Sequence, residues 1–226
     1  MRVLVTGATD GIGAALVADY AGAGAEVIAT GRRARAEMPR GATYVAADQS
    51  DAAAAARVIE SAVERAGGLD VAILNAGIGF VGDPALDARI AEQVEVNLTA
   101  SVVTARAVAP AILESGGSVV LIGSTARAAP SFAAYSATKA GLAGFARSLA
   151  EEWRGRAHVA VLHPGPTRTG MHDKAGLRVG ALARLFPSAA TVARGVEKAV
   201  ARRSRSRRLT RAWCWSAAPL KPGGLS

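Results

Sequence analysis

A tyrosine, a lysine and a serine in the second half of the chain have the types and spacing of a proton-transfer site. Tyr135 and Lys139 are four residues apart, and Ser124 lies eleven residues before the tyrosine, after an apolar run. Residues four apart share a helix face, with roughly 5–6 Å between their Cβ atoms. An ammonium group there stabilises a phenolate, so the spacing predicts a tyrosine of lowered pKa that acts as general acid or base. The same spacing also occurs in helices without catalytic function, so the neighbouring motifs must decide.

A glycine cluster near the N-terminus is the second candidate site. Residues 2–6 form a short apolar run typical of a buried strand, and Gly7, Gly11 and Gly13 follow it directly. Glycines let the backbone turn tightly and approach a pyrophosphate, whose charge then lies at the N-terminus of the next helix. An Ala-rich helical stretch and a second apolar strand at 25–30 come next. This context predicts a dinucleotide-binding βαβ unit.

Together, the motifs resemble the short-chain dehydrogenase/reductase family over about residues 2–200. Thr6 and the glycines resemble the family's Thr-Gly-x-x-x-Gly-x-Gly motif, and Ser124 and Tyr-x-x-x-Lys resemble its catalytic residues. Other motifs match in the same order: Asn75-Ala76-Gly77, Asn97, and the loop Pro164-Gly165-Pro166-Thr167-Arg168-Thr169. Six motifs in the family's order are specific as a set.

The resemblance implies an α/β fold: a Rossmann-like, doubly wound parallel sheet with helices on both faces. It also implies that Tyr135 exchanges a proton with the substrate oxygen and that Lys139 lowers the tyrosine pKa and binds the nicotinamide ribose. Ser124 would orient the carbonyl, and Asn97 would hold a water that supplies protons to the lysine. The implied cofactor-binding residues are Gly7, Thr9, Asp10, Gly11, Ile12, Gly13, Arg32, Arg33, Asp48, Gln49, Asn75, Ala76, Gly77, Tyr135, Lys139, Pro164, Gly165, Thr167 and Thr169.

The end of the second strand indicates which cofactor is used. Folds that bind NAD usually place an acidic residue there for the ribose 2′-hydroxyl, whereas an arginine favours a 2′-phosphate. This chain has Arg32 and Arg33 after Thr30-Gly31, with no acid. Guanidinium groups match phosphate geometry, so we predict NADP(H) in preference to NAD(H). The alternative is that both arginines only solvate a surface loop.

Strand and helix patterns alternate along the chain, which predicts one doubly wound domain over residues 1–226. Residues 32–41 are too short and too broken by proline for a full helix, and residues 168–187 lie where the family has its substrate loop. The predicted strands are 2–6, 25–30, 42–46, 70–74, 117–123, 157–162 and 208–213. The predicted helices are 11–23, 51–66, 87–114, 134–154 and 189–203.

The net charge of +9 comes mainly from the C-terminal tail, residues 201–226, which holds seven Arg or Lys and no acid. Without interleaved aromatic residues or a nucleic-acid module, we interpret it as a solvated helix end and a last strand, not a nucleic-acid site. The single cysteine excludes an intrachain disulfide and favours a cytoplasmic protein. We expect no metal site, no membrane span and, because the first strand starts at residue 2, no cleavable leader.

Two features differ from most relatives. The step from serine to tyrosine is shorter, and the usual Gly-rich final strand is missing, which argues against a tetramer. The helices at 87–114 and 134–154 carry apolar residues at helical spacing, from which we predict a homodimer. The residues of this face are Ala100, Val103, Ala107, Ala111, Leu142, Phe145 and Leu149.

Three classes of function stay open at this point. The preferred one is an NADPH-dependent oxidoreductase that reduces a ketone or aldehyde to an alcohol, reversibly. The second is a non-redox enzyme on the same scaffold, such as an isomerase, dehydratase or cyclase that the cofactor assists. The third is a noncatalytic protein that senses NADP or binds a partner, but such proteins usually lose the tyrosine or the lysine. The small-molecule substrate itself is not predicted by any of these motifs.

Overall fold

In the part of the chain that the structure describes, seven parallel strands form a single sheet. The computed structural model describes residues 1–80, 89–126, 131–170 and 180–209, apart from the side chains of 181–183. The sheet order is β3-β2-β1-β4-β5-β6-β7, and all neighbouring strands are parallel. The strands are β1 Arg2–Val5, β2 Glu26–Gly31, β3 Ala42–Ala46, β4 Val71–Leu74, β5 Ser118–Ile122, β6 His158–Pro164 and β7 Ser206–Leu209. This order confirms the Rossmann-like fold, with its crevice where the order reverses beside β1.

Helices cover both faces of this sheet. They are α1 Gly11–Gly22, α2 Ala52–Arg65, α3 Ile90–Val94, α4 Ala100–Ser115, α5 Ala133–Glu152 and α6 Ala189–Ala201. A π-helical turn, Glu95–Thr99, joins α3 to α4, and a 3₁₀ turn, Gly180–Leu185, precedes α6. One core cluster packs α1 and α6 on the sheet, and the other packs α2, α4 and α5 on the opposite face.

Alternation along the strands explains these two clusters. Val3 and Val5 of β1 belong to the first cluster, whereas Leu4 between them belongs to the second, and all three are fully buried. Successive side chains of a strand point to opposite faces, so a strand covered on both sides must be apolar throughout. The predicted buried strands are confirmed for this reason, and residues 32–41 contain no helix, as expected.

Two predicted elements differ in the structure. The helix predicted at 87–114 is described from Ile90 and is interrupted by the π-helical turn. The last strand starts at Ser206 and not at residue 208, because the backbone of Arg205 already accepts a hydrogen bond from Val161 N, 3.0 Å away. Its charged residues lack the apolar alternation that marks a strand. The rest of the predicted strand, residues 210–213, lies outside the described residues.

The face predicted for dimer contact is partly wrong. Leu142 and Leu149 are buried in the core cluster on this face of the sheet, and Ala100 is fully buried within the chain as well. Val103, Ala107, Ala111 and Phe145 are half-buried and stay available for contact. The whole helical stretch Ile90–Ser115 is long and apolar enough to cross a membrane, but fully buried residues such as Val108 and Ile112 pack it into the core.

A pair of carboxyl groups lies between α1 and α6, far from the motifs singled out in the sequence. Glu197 is 4% exposed, and its carboxyl group hydrogen-bonds that of Asp19 on the facing helix. Burial and the neighbouring Asp19 raise the pKa of Glu197 to about 8, and Arg194 opposes the shift. Burial also raises the pKa of Asp19. Two carboxyl groups can share a hydrogen bond only if one is protonated, so the pair holds a proton near neutral pH.

This pair predicts that the free energy of unfolding falls as the pH rises. The folded protein binds the proton of Glu197 more tightly than the unfolded chain does, so the stabilisation is lost between the ordinary pKa of 4.5 and about 8. Thermal unfolding across this range should show a decreasing Tm, and Glu197→Gln should flatten the decrease. The exposed Glu60→Gln variant is the control. An equally steep decrease in Glu197→Gln would contradict the assignment.

Candidate active site

A cleft of about 660 Å³ opens at the carboxyl ends of the strands. The loops after β1, β2, β4, β5 and β6 supply its walls, together with the first turns of α5. Parallel strands end at the same edge of a sheet, which brings motifs distant in sequence to one place. The predicted site residues that line the cleft are Gly7, Asp10, Gly11, Ile12, Arg32, Asn75, Ala76, Gly77, Ser124, Tyr135, Lys139, Pro164, Gly165, Thr167 and Thr169.

The glycine loop has the shape of a phosphate cradle. Gly7 and Gly11 have positive φ of 64° and 55°, and a Cβ on Gly7 would lie 2.8 Å from the Cα of Ala76. Asp10 caps α1 and accepts a hydrogen bond from the Gly11 N, 2.7 Å away. The N-terminus of this twelve-residue helix borders the cleft, where its dipole favours an anion. A dinucleotide therefore fits the loop.

Asn75 connects this loop to the other half of the sheet. Its amide nitrogen Nδ2 donates to the backbone oxygens of Thr6 and Gly7, at 3.0 and 3.2 Å. The Thr6 hydroxyl accepts in turn from the backbone N of Asn75 and of Ala76, both at 3.0 Å. These four bonds join the ends of β1 and β4, so Asn75 shapes the cradle from behind.

Six predicted residues lie outside the lining of the cleft. Gly13 packs against Gly7, and Thr9 packs against Gly31. Arg33 is exposed, and its backbone oxygen accepts from the Tyr44 hydroxyl at 2.7 Å. The Asp48 carboxylate accepts from Ser50 N at 3.0 Å. The remaining two, Gln49 and Asn97, are buried.

Tyr135 and Ser124 meet at the cleft wall. Tyr135 is buried on the first turn of α5, and a side-chain hydrogen bond joins it to Ser124 despite the shortened loop. Burial raises the pKa of Tyr135, and this hydrogen bond opposes the shift. The direction is opposite to the one predicted, because a buried phenolate loses solvation and the serine, not the lysine, is the group that lowers the pKa.

Lys139 lies one turn further along α5 and is buried. Its Nζ donates to the backbone oxygen of Ile122 at 2.9 Å and lies 5.7 Å from the centroid of the Tyr135 ring. Burial lowers the pKa of Lys139 to about 8, since the structure offers little solvation for the ammonium ion. The lysine thus titrates much closer to neutral pH than an ordinary lysine does, and its charged form still predominates at pH 7.

Asn97 is fully buried in the π-helical turn behind the lysine. Its Oδ1 accepts from Ile78 N at 2.7 Å, and its Nδ2 donates to Ile78 O at 2.8 Å. A Cβ on Gly77 would lie 3.2 Å from Asn97 Oδ1 and 3.3 Å from Lys139 Nζ, so both side chains approach this glycine. A side chain at this position would force Asn97 and Lys139 to shift by a few tenths of an ångström. π-Helical turns often occur at functional sites, and this one holds the asparagine against the loop after β4.

Apolar residues that no motif indicated form much of the remaining wall. The chain has four phenylalanines, and three of them, Phe80, Phe132 and Phe186, line the cleft. Phe132 packs edge-on against Tyr135, with 6.1 Å between ring centroids. Phe132 precedes Tyr135 by three residues, and this spacing is the one signal in the sequence that could have placed the ring beside the tyrosine. Within the described residues, no three His, Cys, Asp or Glu side chains lie close enough to hold a metal ion.

The sequence profile of the family described as short chain dehydrogenase matches residues 1–179. The chain belongs to this family. It is accordingly an oxidoreductase that uses a nicotinamide dinucleotide to interconvert alcohol and carbonyl groups. The family's catalytic tyrosine and lysine pattern agrees with the geometry of the cleft.

Individual members of the family are also similar. A 1-deoxy-11-beta-hydroxypentalenate dehydrogenase of Streptomyces exfoliatus is 39% identical over 186 residues, which cover 74% of this chain and 68% of the relative. A D-threitol dehydrogenase of Mycolicibacterium smegmatis is 33% identical, over 82% of this chain and 78% of the relative. A putative NAD(P)-dependent gluconate 5-dehydrogenase from Beutenbergia cavernae, solved with bound NADP, is 30% identical with a TM-score of 0.81, over 95% and 97% of the two chains.

The close contact at Gly13 gives the first test of the cleft. In Gly13→Ala the new Cβ would fall on the backbone of Gly7 and lie 2.7 Å from Asn75 Nδ2. Overpacking of this kind costs about 1–3 kcal/mol, so the displaced turn should lower NADPH affinity, measured by fluorescence titration, by about fivefold or more. Gly22→Ala on the same helix is the control, because its Cβ would meet no atom within 4 Å. Equal affinities in the two variants would argue against the cradle.

Proposed function

We propose that the chain is a reductase that prefers NADPH and acts on a bulky, largely apolar ketone or aldehyde. The observation that carries this proposal is the buried Tyr135 at the cleft wall, bonded to Ser124 and followed by Lys139. A high pKa keeps the phenol protonated, which suits a group that must donate a proton. The alcohol is oxidised when the reaction runs backward.

Each catalytic side chain has a step that its position supports. The cofactor supplies the hydride when it is bound. Ser124 donates a hydrogen bond to the substrate oxygen and holds it beside Tyr135, which transfers its phenolic proton to that oxygen as the carbonyl is reduced. Lys139 then stabilises the remaining phenolate, because its charged ammonium group lies near the Tyr135 ring.

Proton supply to the tyrosine follows from the arrangement behind it. Lys139 and Asn97 both approach Gly77, and the Thr138 hydroxyl accepts from Asn97 Nδ2 at 3.3 Å. We assign Asn97 to holding a water that returns protons to the lysine, as the family resemblance implies. Its side-chain bonds to Ile78 add a positioning function, because they fix the loop that faces the cofactor.

Charge near the end of β2 supports the preference for NADP(H). Arg32 lines the cleft immediately after this strand, and Arg33 follows it. No acidic residue stands beside them directly after the strand. A guanidinium binds a phosphate with two parallel hydrogen bonds. The similar gluconate 5-dehydrogenase structure holds NADP, which agrees with this preference.

The cleft wall supports an apolar substrate. Three phenylalanine rings line the cleft, one of them packed against Tyr135, and they offer large apolar surfaces but no hydrogen-bond partners. Two similar proteins are named as a hydroxypentalenate dehydrogenase and a hydroxysteroid dehydrogenase. A fused-ring or similarly bulky carbonyl compound matches this wall better than a small sugar alcohol.

We further propose a single-domain cytoplasmic protein that forms a homodimer. The half-buried Val103 and Ala107 of α4 and Phe145 of α5 form a small apolar face. On Gly144 a Cβ would meet no atom within 4 Å, so this part of α5 has room for a neighbouring helix. The paired helices of a second copy would cover that face.

Removal of the phenolic hydroxyl tests the catalytic assignment. Tyr135→Phe should keep its NADPH affinity and lose about 10²-fold or more in turnover, as expected for loss of a general acid. Activity is followed at the NADPH absorption band with a panel of fused-ring and linear ketones. Tyr20→Phe, in the buried core of α1, is the matched control and should keep its turnover. Comparable activity in both variants would overturn the assignment.

Removal of the two arginines tests the cofactor preference. In the double variant Arg32→Ala, Arg33→Ala, NADPH affinity should fall about tenfold or more while NADH affinity changes little, because only NADPH carries the 2′-phosphate. The readout is the ratio of the two dissociation constants. Arg40→Ala, exposed in the same loop, should leave the ratio unchanged. A wild-type preference for NADH, or equal losses, would contradict the proposal.

A further inference from the structure

A second concave surface lies at the amino ends of β5, β6 and β7, opposite the cleft at the carboxyl ends of the strands. Its volume is about 420 Å³, and His158, the first residue of β6, forms part of its floor. The active-site cleft lies at the other end of this strand, beyond Pro164. At about 3.3 Å per residue the two are roughly 20 Å apart. We call this surface the basic pocket; its cationic lining residues are Arg154, Arg156, Arg203 and Arg205.

The basic pocket carries an excess of positive charge. None of its described lining residues is acidic. Glu151, at its border, forms ion pairs with Arg154 and with Arg205, the latter at 3.4 Å. One carboxylate among four guanidinium groups leaves the charge largely uncompensated. The arginines carry this charge alone, because burial and the nearby Arg203 lower the pKa of His158.

Three chain reversals build the basic pocket, and one of them uses an unusual residue. Gly116, Gly155 and Arg203 each have a positive φ, of 61°, 78° and 47°. Glycine is the residue normally found in this conformation after a helix, because a Cβ makes it strained. Arg203 follows α6 at such a position and keeps its long side chain despite the strain. Strained residues tend to occur where their side chains have a function.

Backbone groups hold Arg203 in place. The Nη1 and Nη2 atoms of Arg203 both lie 3.3 Å from the Gly116 oxygen. The backbone nitrogens of Arg203 and Ser204 donate to Val200 O and Ala199 O, both at 2.9 Å. A guanidinium has five N–H donors, so these contacts leave others for a ligand. Arg203 is therefore positioned by the protein itself and keeps donors available for a ligand.

We propose that the basic pocket binds a small ligand that carries a diphosphate group, at a site separate from the cofactor cleft. Arginine forks match phosphate oxygens with paired, charge-assisted hydrogen bonds. The volume suits one small molecule, whereas a nucleic acid needs an extended basic stripe. Arg156 and Arg203 line the pocket from different segments, after α5 and after α6, and would bind the two phosphate groups together.

Calorimetric titration of inorganic pyrophosphate into the full-length protein tests this site, with saturating NADPH present to fill the glycine loop. The wild type should bind one pyrophosphate. Arg203→Gly, which relieves the backbone strain, and Arg156→Ala should each lower pyrophosphate affinity by about tenfold or more, as expected for loss of a bidentate contact. Arg57→Ala, exposed on α2, is the matched control and should bind like the wild type.

Thermal unfolding of each variant separates binding from a structural function. Arg203→Gly should keep its Tm and lose pyrophosphate, whereas a lowered Tm with unchanged binding would overturn the proposal. Absence of binding by the wild type, or equal binding by Arg203→Gly and Arg57→Ala, would also overturn it. Poly(U) is titrated in parallel. Tighter binding of poly(U) with a steep salt dependence would replace the small ligand by a nucleic acid.

Discussion

The hydrogen bonds between Asn75 and the turn after β1 are the contacts on which the site depends. The crevice in a doubly wound sheet exists because β2 and β3 lie on one side of β1 and β4 lies on the other, so that the loops after β1 and β4 run in opposite directions. Nothing in the sheet ladder alone fixes the two loops that border this gap. Asn75 does so, since its side chain satisfies two carbonyl oxygens of the glycine turn while Thr6 satisfies two amides in return. Loss of this exchange would leave buried polar groups unpaired on both sides.

The catalytic side chains at the cleft wall are likewise buried groups that a few hydrogen-bond partners hold in place. Ser124 follows β5 and Tyr135 begins α5, so their contact joins a strand end to a helix start across a shortened loop. Lys139 is fixed by Ile122 O, and Asn97 by Ile78. The partners of Lys139 and Asn97 are backbone groups at or after the carboxyl end of a strand, whereas Tyr135 and Ser124 contact each other through their side chains. The sheet therefore positions the lysine and the asparagine directly.

The fold and the cofactor loop could be predicted from sequence because their signals are local. Glycines at the turn after β1, apolar strands and the Tyr135–Lys139 spacing each depend on residues close together in the chain. The Phe80 and Phe186 walls lie in loops whose path no local pattern specifies. The pairing of Asp19 with Glu197 joins residues far apart in sequence, as does that of Arg203 with Gly116. The π-helical turn was missed since it leaves the apolar periodicity of its helix almost unchanged.

Burial of Lys139 links cofactor binding in the cleft to the protonation of this lysine. A lysine with a pKa near 8 is a mixture of charged and neutral forms under mildly alkaline conditions. Any ligand whose oxygens contact the ammonium group stabilises the charged form and draws a proton from solvent. Cofactor affinity and solution acidity are then linked equilibria, and proton uptake accompanies binding. In mildly alkaline solution, nucleotide binding therefore shifts Lys139 toward its charged form, which is the form that stabilises the Tyr135 phenolate.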